Sequence, residues 1–219
     1  MSKPTHLNSP SSPVKDDEKI SPVSPNKKSK SRWEGKIIIG LVGKMASGKG
    51  TACQYFKEEY GANIFRFSTI LRDILDRLYL PQSRPNMQSL SLILRQNFGD
   101  DLLAAVIAKD VSGDIGKIVG VDGVRRDPDI KYLKVLPGFS LINIDADQKV
   151  RWQRMVARGE NSDDTSKTFE QFQSDEGQEA EKQINEVAKQ AKFTINNNGG
   201  LEELHRQIDE IIKKLNDKS

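Results

Sequence analysis

An apolar run, Ile37-Ile38-Ile39-Gly40-Leu41-Val42, leads directly into Gly43-Lys44-Met45-Ala46-Ser47-Gly48-Lys49-Gly50-Thr51 and then into Ala52-Cys53-Gln54-Tyr55-Phe56. A buried strand, a glycine loop with a lysine and a helix start therefore follow one another, which is the context a phosphate-binding loop requires. Glycines let backbone N–H groups turn inward around an anion where a Cβ would clash. The helix N-terminus adds partial positive charge, and Lys49 adds a full charge for the terminal phosphates. Gly43, Ala46, Ser47, Gly48, Lys49, Gly50 and Thr51 are the expected nucleotide contacts.

Composition limits what surrounds this loop. The chain has 219 residues, 36% hydrophobic and 30% charged, which suits one soluble domain plus a tail. Residues 1–35 are rich in Ser, Pro and Lys and too poor in apolar groups to offset the entropy of ordering, so a disordered tail is expected there. The net charge of +3 owes much to Lys27, Lys28, Lys30, Arg32 and Lys36. Asp16, Asp17 and Glu18 dilute that segment, so neither nucleic acid nor a membrane surface is the expected partner. Cys53 is the only cysteine, which excludes an internal disulfide and fits a reducing cytoplasm. No apolar run approaches bilayer length, and a cytoplasmic monomer is expected.

From residue 36 onward, apolar runs at about 36–43, 62–68, 117–123, 139–146 and 192–197 read as strands, with helical periodicity between them at 69–80, 86–111 and 200–215. Alternating strands and helices imply a parallel sheet covered on both faces, with ligands beyond the carboxyl ends of the strands. Asp122, which ends the third strand, can orient Mg²⁺ or its waters or serve as a base toward an acceptor. Arg125 and Arg126 lie just beyond it, where a guanidinium can clamp a phosphate. Arg151, Arg154 and Arg158 recur at helical spacing on one face, and an anion such as a triphosphate would relieve their repulsion.

Two motifs carry a family resemblance. In the pattern G-x-x-x-x-G-K-[ST], Gly50 takes the final position and Thr51 comes one later, so direct ligation of Mg²⁺ by Thr51 is not expected. The run Gly48-Lys49-Gly50-Thr51 resembles the loop of adenylate kinases and related nucleoside monophosphate kinases. Asp122-Gly123-Val124-Arg125-Arg126 is similar to their Asp-Gly-x-x-Arg segment, which gives the acceptor monophosphate to Arg126. The Asp-Gly-x-Arg form of a related branch would give it to Arg125. The resemblance also implies Arg72 in the first acceptor-site helix, with Arg95 a weaker candidate, and Arg154 and Arg158 as lid arginines closing over the donor. The ending Asn196-Asn197-Asn198-Gly199 resembles that of dephospho-coenzyme A kinases and implies that Asn197 and Asn198 lie beside adenine.

The expected fold is thus α/β, a three-layer P-loop NTPase fold with a five-stranded parallel sheet, helices on both faces and a short helical lid. The domain would span 36–219, with acceptor-binding helices at about 69–111 and the lid at about 151–190. The expected activity is MgATP-dependent phosphoryl transfer to a small nucleotide-like acceptor. A nucleoside monophosphate leads; dephospho-coenzyme A and a regulatory ATPase without a metabolite acceptor are the alternatives. Lys49, Asp122, Arg154 and Arg158 are the expected catalytic residues. The Mg²⁺ would be held through water and phosphate, with Asp122 the protein group nearest that role.

Overall fold

The computed structural model describes residues 33–159, 164–176 and 179–217. Residues 1–32 of the expected tail and residues 160–163 of the expected lid lie outside the described residues. Trp33, at the edge of that tail, is half-buried against the core, and the Lys36 ammonium stacks 5.4 Å over its ring.

Five strands form one all-parallel sheet: β1 Ile37–Val42, β2 Asn63–Arg66, β3 Ile118–Val124, β4 Phe139–Asp145 and β5 Phe193–Asn196, in the order β2-β3-β1-β4-β5. Every residue of β1 is buried, as a central strand covered on both faces demands. Residues of alternate parity feed two cores. Ile38 and Val42 join Val119, Val121 and Leu141 under α2 (Phe67–Arg77), α4 (Leu102–Gly113) and α8 (Glu179–Ala188). Ile37, Ile39 and Leu41 join Ile142, Ile144 and Ile195 under α1 (Lys49–Tyr60) and α9 (Leu201–Asn216).

Helical periodicity runs unbroken through 86–111, but the structure divides that stretch into α3 (Arg84–Phe98) and α4. Gly99, with φ of 106°, closes α3 in a conformation that a helix cannot continue. Between β3 and β4 lies the single turn α5 (Asp127–Ile130). After β4 come α6 (Gln148–Arg158), a 3₁₀ turn at Asp164–Ser166, and α7 (Phe169–Glu176), which with α8 occupy the stretch expected to form the lid. Of the four residues expected to face inward here, Phe172, Ile184 and Val187 are buried and Phe169 is half-buried.

Sheet order positions the site. From β1 the chain is flanked by β3 on one side and β4 on the other, so the loop after β1 opens at the switch point of the sheet. The β1–β3 register shifts between Leu41, opposite Asp122, and Val42, opposite Val124. Gly123 is the skipped residue, and its φ of 92° lets the strand bulge immediately after Asp122.

Candidate functional site

The loop at 43–51 turns on two glycines. A Cβ on Gly43 (φ 154°) would lie 2.4 Å from the Ile144 carbonyl oxygen, and one on Gly48 (φ 106°) would lie 2.1 Å from Asn197 Nδ2. Both positions therefore exclude side chains, and the loop backbone packs directly on β4 and on the turn after β5. Gly48 caps α1 with no side-chain hydrogen bond, and the first turn of α1 carries no acid. The N–H groups of that turn lack intrahelical partners, so the end of α1 suits an anion. The Lys49 ammonium lies over the loop, donating to the carbonyls of Gly43 at 2.5 Å and Lys44 at 2.9 Å. Ser47 is buried, and its Oγ has no hydrogen-bond partner among the described residues. Closely packed glycines, uncapped N–H groups and an ammonium held across them fit a polyphosphate.

Asp122 lies beside this loop. Its Oδ2 is 3.2 Å from Nε of Arg66, the last residue of β2, and the side chains are 17% and 45% exposed. Cys53, one helical turn after Lys49, is buried beneath the same group. Burial, and then the Asp122 charge, push its thiol up to about 12, against the opposing charges of Arg66 and Lys49.

The structure separates the two adjacent arginines. Arg126 donates to Asp100 Oδ1 at 2.7 Å and reaches Asp129 Oδ1 at 3.4 Å, joining the α3–α4 turn to α5. Asp129 is buried, and its Oδ2 accepts from the backbone N–H groups of Arg125 and Arg126, each at 3.0 Å. Burial raises the Asp129 carboxyl above the usual range despite these donors and Arg126. Arg95 completes this cluster, 3.6 Å from Asp129. The Arg125 side chain is exposed at the strand end. Arg72 is exposed on α2, where its Nη1 donates to Gln82 Oε1 at 2.8 Å.

The lid arginines also diverge. Arg151 is buried and forms a two-pronged pair with Glu176 of α7; its Nε donates to the Ala146 carbonyl at 2.8 Å, and its Nη1 lies 3.4 Å from the Met45 carbonyl in the phosphate loop. Although burial opposes it, Arg151 holds the Glu176 carboxyl below its usual range. Lys44 of the loop lies 3.9 Å from the same carboxylate. Arg154 donates to the carbonyls of Asn197 and Gly199, at 2.8 and 3.2 Å. Arg158 ends α6, next to the lid tip.

The two asparagines serve the scaffold in this structure. Asn197 is buried and donates from Nδ2 to the Ser47 carbonyl at 2.7 Å, tying β5 to the phosphate loop. Asn198 accepts from the Asp147 N–H at 2.7 Å and donates to its carboxylate, fixing the turn into α6. A cavity of about 300 Å³ lies between Gly43, Lys44, Asn143, Asp145 and α8. Sequence reasoning did not single out Arg66, Glu176 or Asp129. The strand-end rule would have reached Arg66 had β2 been ended at 66 rather than 68.

The comparisons with known proteins agree with this fold. A family model described as an AAA domain matches residues 42–173, more than half of the chain. A UPF0200 protein of Methanoculleus marisnigri is 27% identical over 179 residues, covering 81% of this chain and 96% of that one. A UPF0200 protein of Pyrococcus abyssi is 28% identical over 184 residues, covering 82% and 97%. The crystal structure of a shikimate kinase from Bacteroides thetaiotaomicron aligns with a TM-score of 0.56 at 12% identity, covering 82% of this chain and 98% of that one, a likeness of fold.

Proposed function

This chain belongs to the AAA-domain family matched over residues 42–173, and on that premise we propose that it is an ATP-dependent phosphotransferase acting on a small nucleotide-like acceptor, foremost a nucleoside monophosphate. The observation that carries this reading is the pairing of two features at the strand ends. The Lys49-bearing loop follows β1, and Asp122, two residues before the end of β3, pairs with Arg66 at the end of β2, Arg125 lying just past β3.

Each residue then has a task. The N–H groups at the start of α1 and Lys49 hold the polyphosphate, with residues 43–51 shaped to its oxygens. MgATP supplies the phosphoryl group and a metal charge that offsets the phosphate oxygens. Asp122 is the carboxylate placed to orient the metal's waters or to accept the acceptor's hydroxyl proton. Arg125 and Arg72 offer cations to an anionic acceptor. Arg158, at the mouth of the lid, adds charge on the donor side. α6, α7 and α8 exclude water, which would otherwise compete as acceptor.

The test is ADP release from MgATP with AMP, CMP, UMP and dephospho-coenzyme A supplied separately. Acceptor-dependent release with a nucleoside monophosphate is expected. Release only with dephospho-coenzyme A would replace the acceptor class, and equal release with and without acceptor would leave a regulatory ATPase.

A further inference from the structure

We infer that Arg66 is a positioning residue that sets the Asp122 carboxylate for transfer, an inference that rests on the phosphotransferase reading. Arg66 and Asp122 are register partners on adjacent strands, so the sheet itself places their side chains together. The guanidinium Nε lies 3.2 Å from Asp122 Oδ2. Beneath them, the buried Cys53 thiol responds to Arg66, Asp122 and Lys49 together, so α1, β2 and β3 each bring a side chain to one cluster. Gly123 follows Asp122 with φ of 92°, so the backbone on that side is a bulge rather than a regular ladder, and Arg66 is the side chain that holds the carboxylate in place.

Stability alone gives little reason for an arginine at this place. A half-exposed ion pair contributes little, because water screens it and a long side chain must be fixed. Orientation of a reacting carboxylate is more demanding, since small displacements cost large factors in rate. Arg66 lies outside the Asp-Gly-x-x-Arg segment that Asp122 begins, on a different strand, so it is a separate input to Asp122.

The experiment compares wild type, Arg66→Ala, Arg66→Lys, Asp122→Asn and the Arg66→Ala/Asp122→Asn double variant in the acceptor-dependent ADP-release assay. ADP binding by calorimetry and thermal unfolding are measured alongside. Arg66→Ala should lower kcat by about tenfold or more, the order expected for disturbing a general base. KM for ATP, ADP affinity and melting temperature should stay near wild type. Arg66→Lys should recover part of the loss, and the double variant should be no slower than Asp122→Asn alone. A full-rate Arg66→Ala overturns the inference. So does further loss in the double variant, or a rise confined to the acceptor KM, which would make Arg66 a direct acceptor contact. A wild type that binds ADP yet turns over with no acceptor refutes the phosphotransferase reading, and this inference with it.

Discussion

Alanine at Gly48 should damage the phosphate loop through Asn197, and the size of the effect follows from geometry. Gly48 has φ of 106°, and its Cβ would fall 2.1 Å from Asn197 Nδ2. The backbone strain costs about 1–3 kcal/mol. The amide must also move, which breaks its buried 2.7 Å bond to the Ser47 carbonyl. Leaving that carbonyl unpaired costs about 1–3 kcal/mol more, for a total of about 2–6 kcal/mol. Asn197→Ala alone loses only the hydrogen bond, about 1–3 kcal/mol. Because the two variants sacrifice the same bond, the double variant should match Gly48→Ala rather than the sum. Denaturant unfolding of all four proteins measures this coupling. Additivity to within about 0.5 kcal/mol would show that Asn197 does not brace the loop and would refute the reasoning.

Other consequences are open to measurement. Arg151→Ala should destabilise by about 3–5 kcal/mol, because it strands the Glu176 carboxylate in a nearly buried place, whereas Glu176→Gln should cost less. Since the Glu176 carboxyl is held below its ordinary 4.5, the pair's stability is present above that pH and is lost as pH falls through the lowered value; unfolding across pH 3–6 should show this loss in wild type and not in Glu176→Gln. Arg126→Ala should lower stability by about 1–3 kcal/mol because it holds Asp129 and Asp100, while Arg125→Ala should leave stability unchanged and raise the acceptor KM. The Cys53 thiol, buried and pushed up to about 12, should resist iodoacetamide at neutral pH until the chain unfolds; rapid alkylation of the native protein would contradict that placement.

The sheet was legible because its central strand is an unbroken apolar run and the others are short apolar-rich segments, and all five expected strands appear with only their ends displaced. The loop was legible because its glycines and lysine are contiguous. Side-chain partnerships were not, since they join residues far apart in sequence. The spacing of Arg151, Arg154 and Arg158 reads as one cationic face. In the fold, Arg151 is neutralised by Glu176, 25 residues later, and Arg154 is drawn to the carbonyls after β5. The Asn-rich ending reads as a base contact, and nothing in it foretells that the Asn197 amide bonds to Ser47, 150 residues earlier. Arg125 and Arg126 are indistinguishable by spacing. Asp100 and Asp129 tell them apart, and only the packing of α3, α4 and α5 brings those carboxylates there.

The central claim is that the Lys49 loop delivers a phosphoryl group to an acceptor at Asp122. Following γ-labelled ATP with AMP or dephospho-coenzyme A tests it most directly, with wild type and Lys49→Ala side by side. Label should accumulate in the acceptor with wild type and not with Lys49→Ala, whose unfolding curve should remain close to wild type. Label appearing only in inorganic phosphate, at a rate indifferent to acceptor, or transfer that survives Lys49→Ala, would contradict the account.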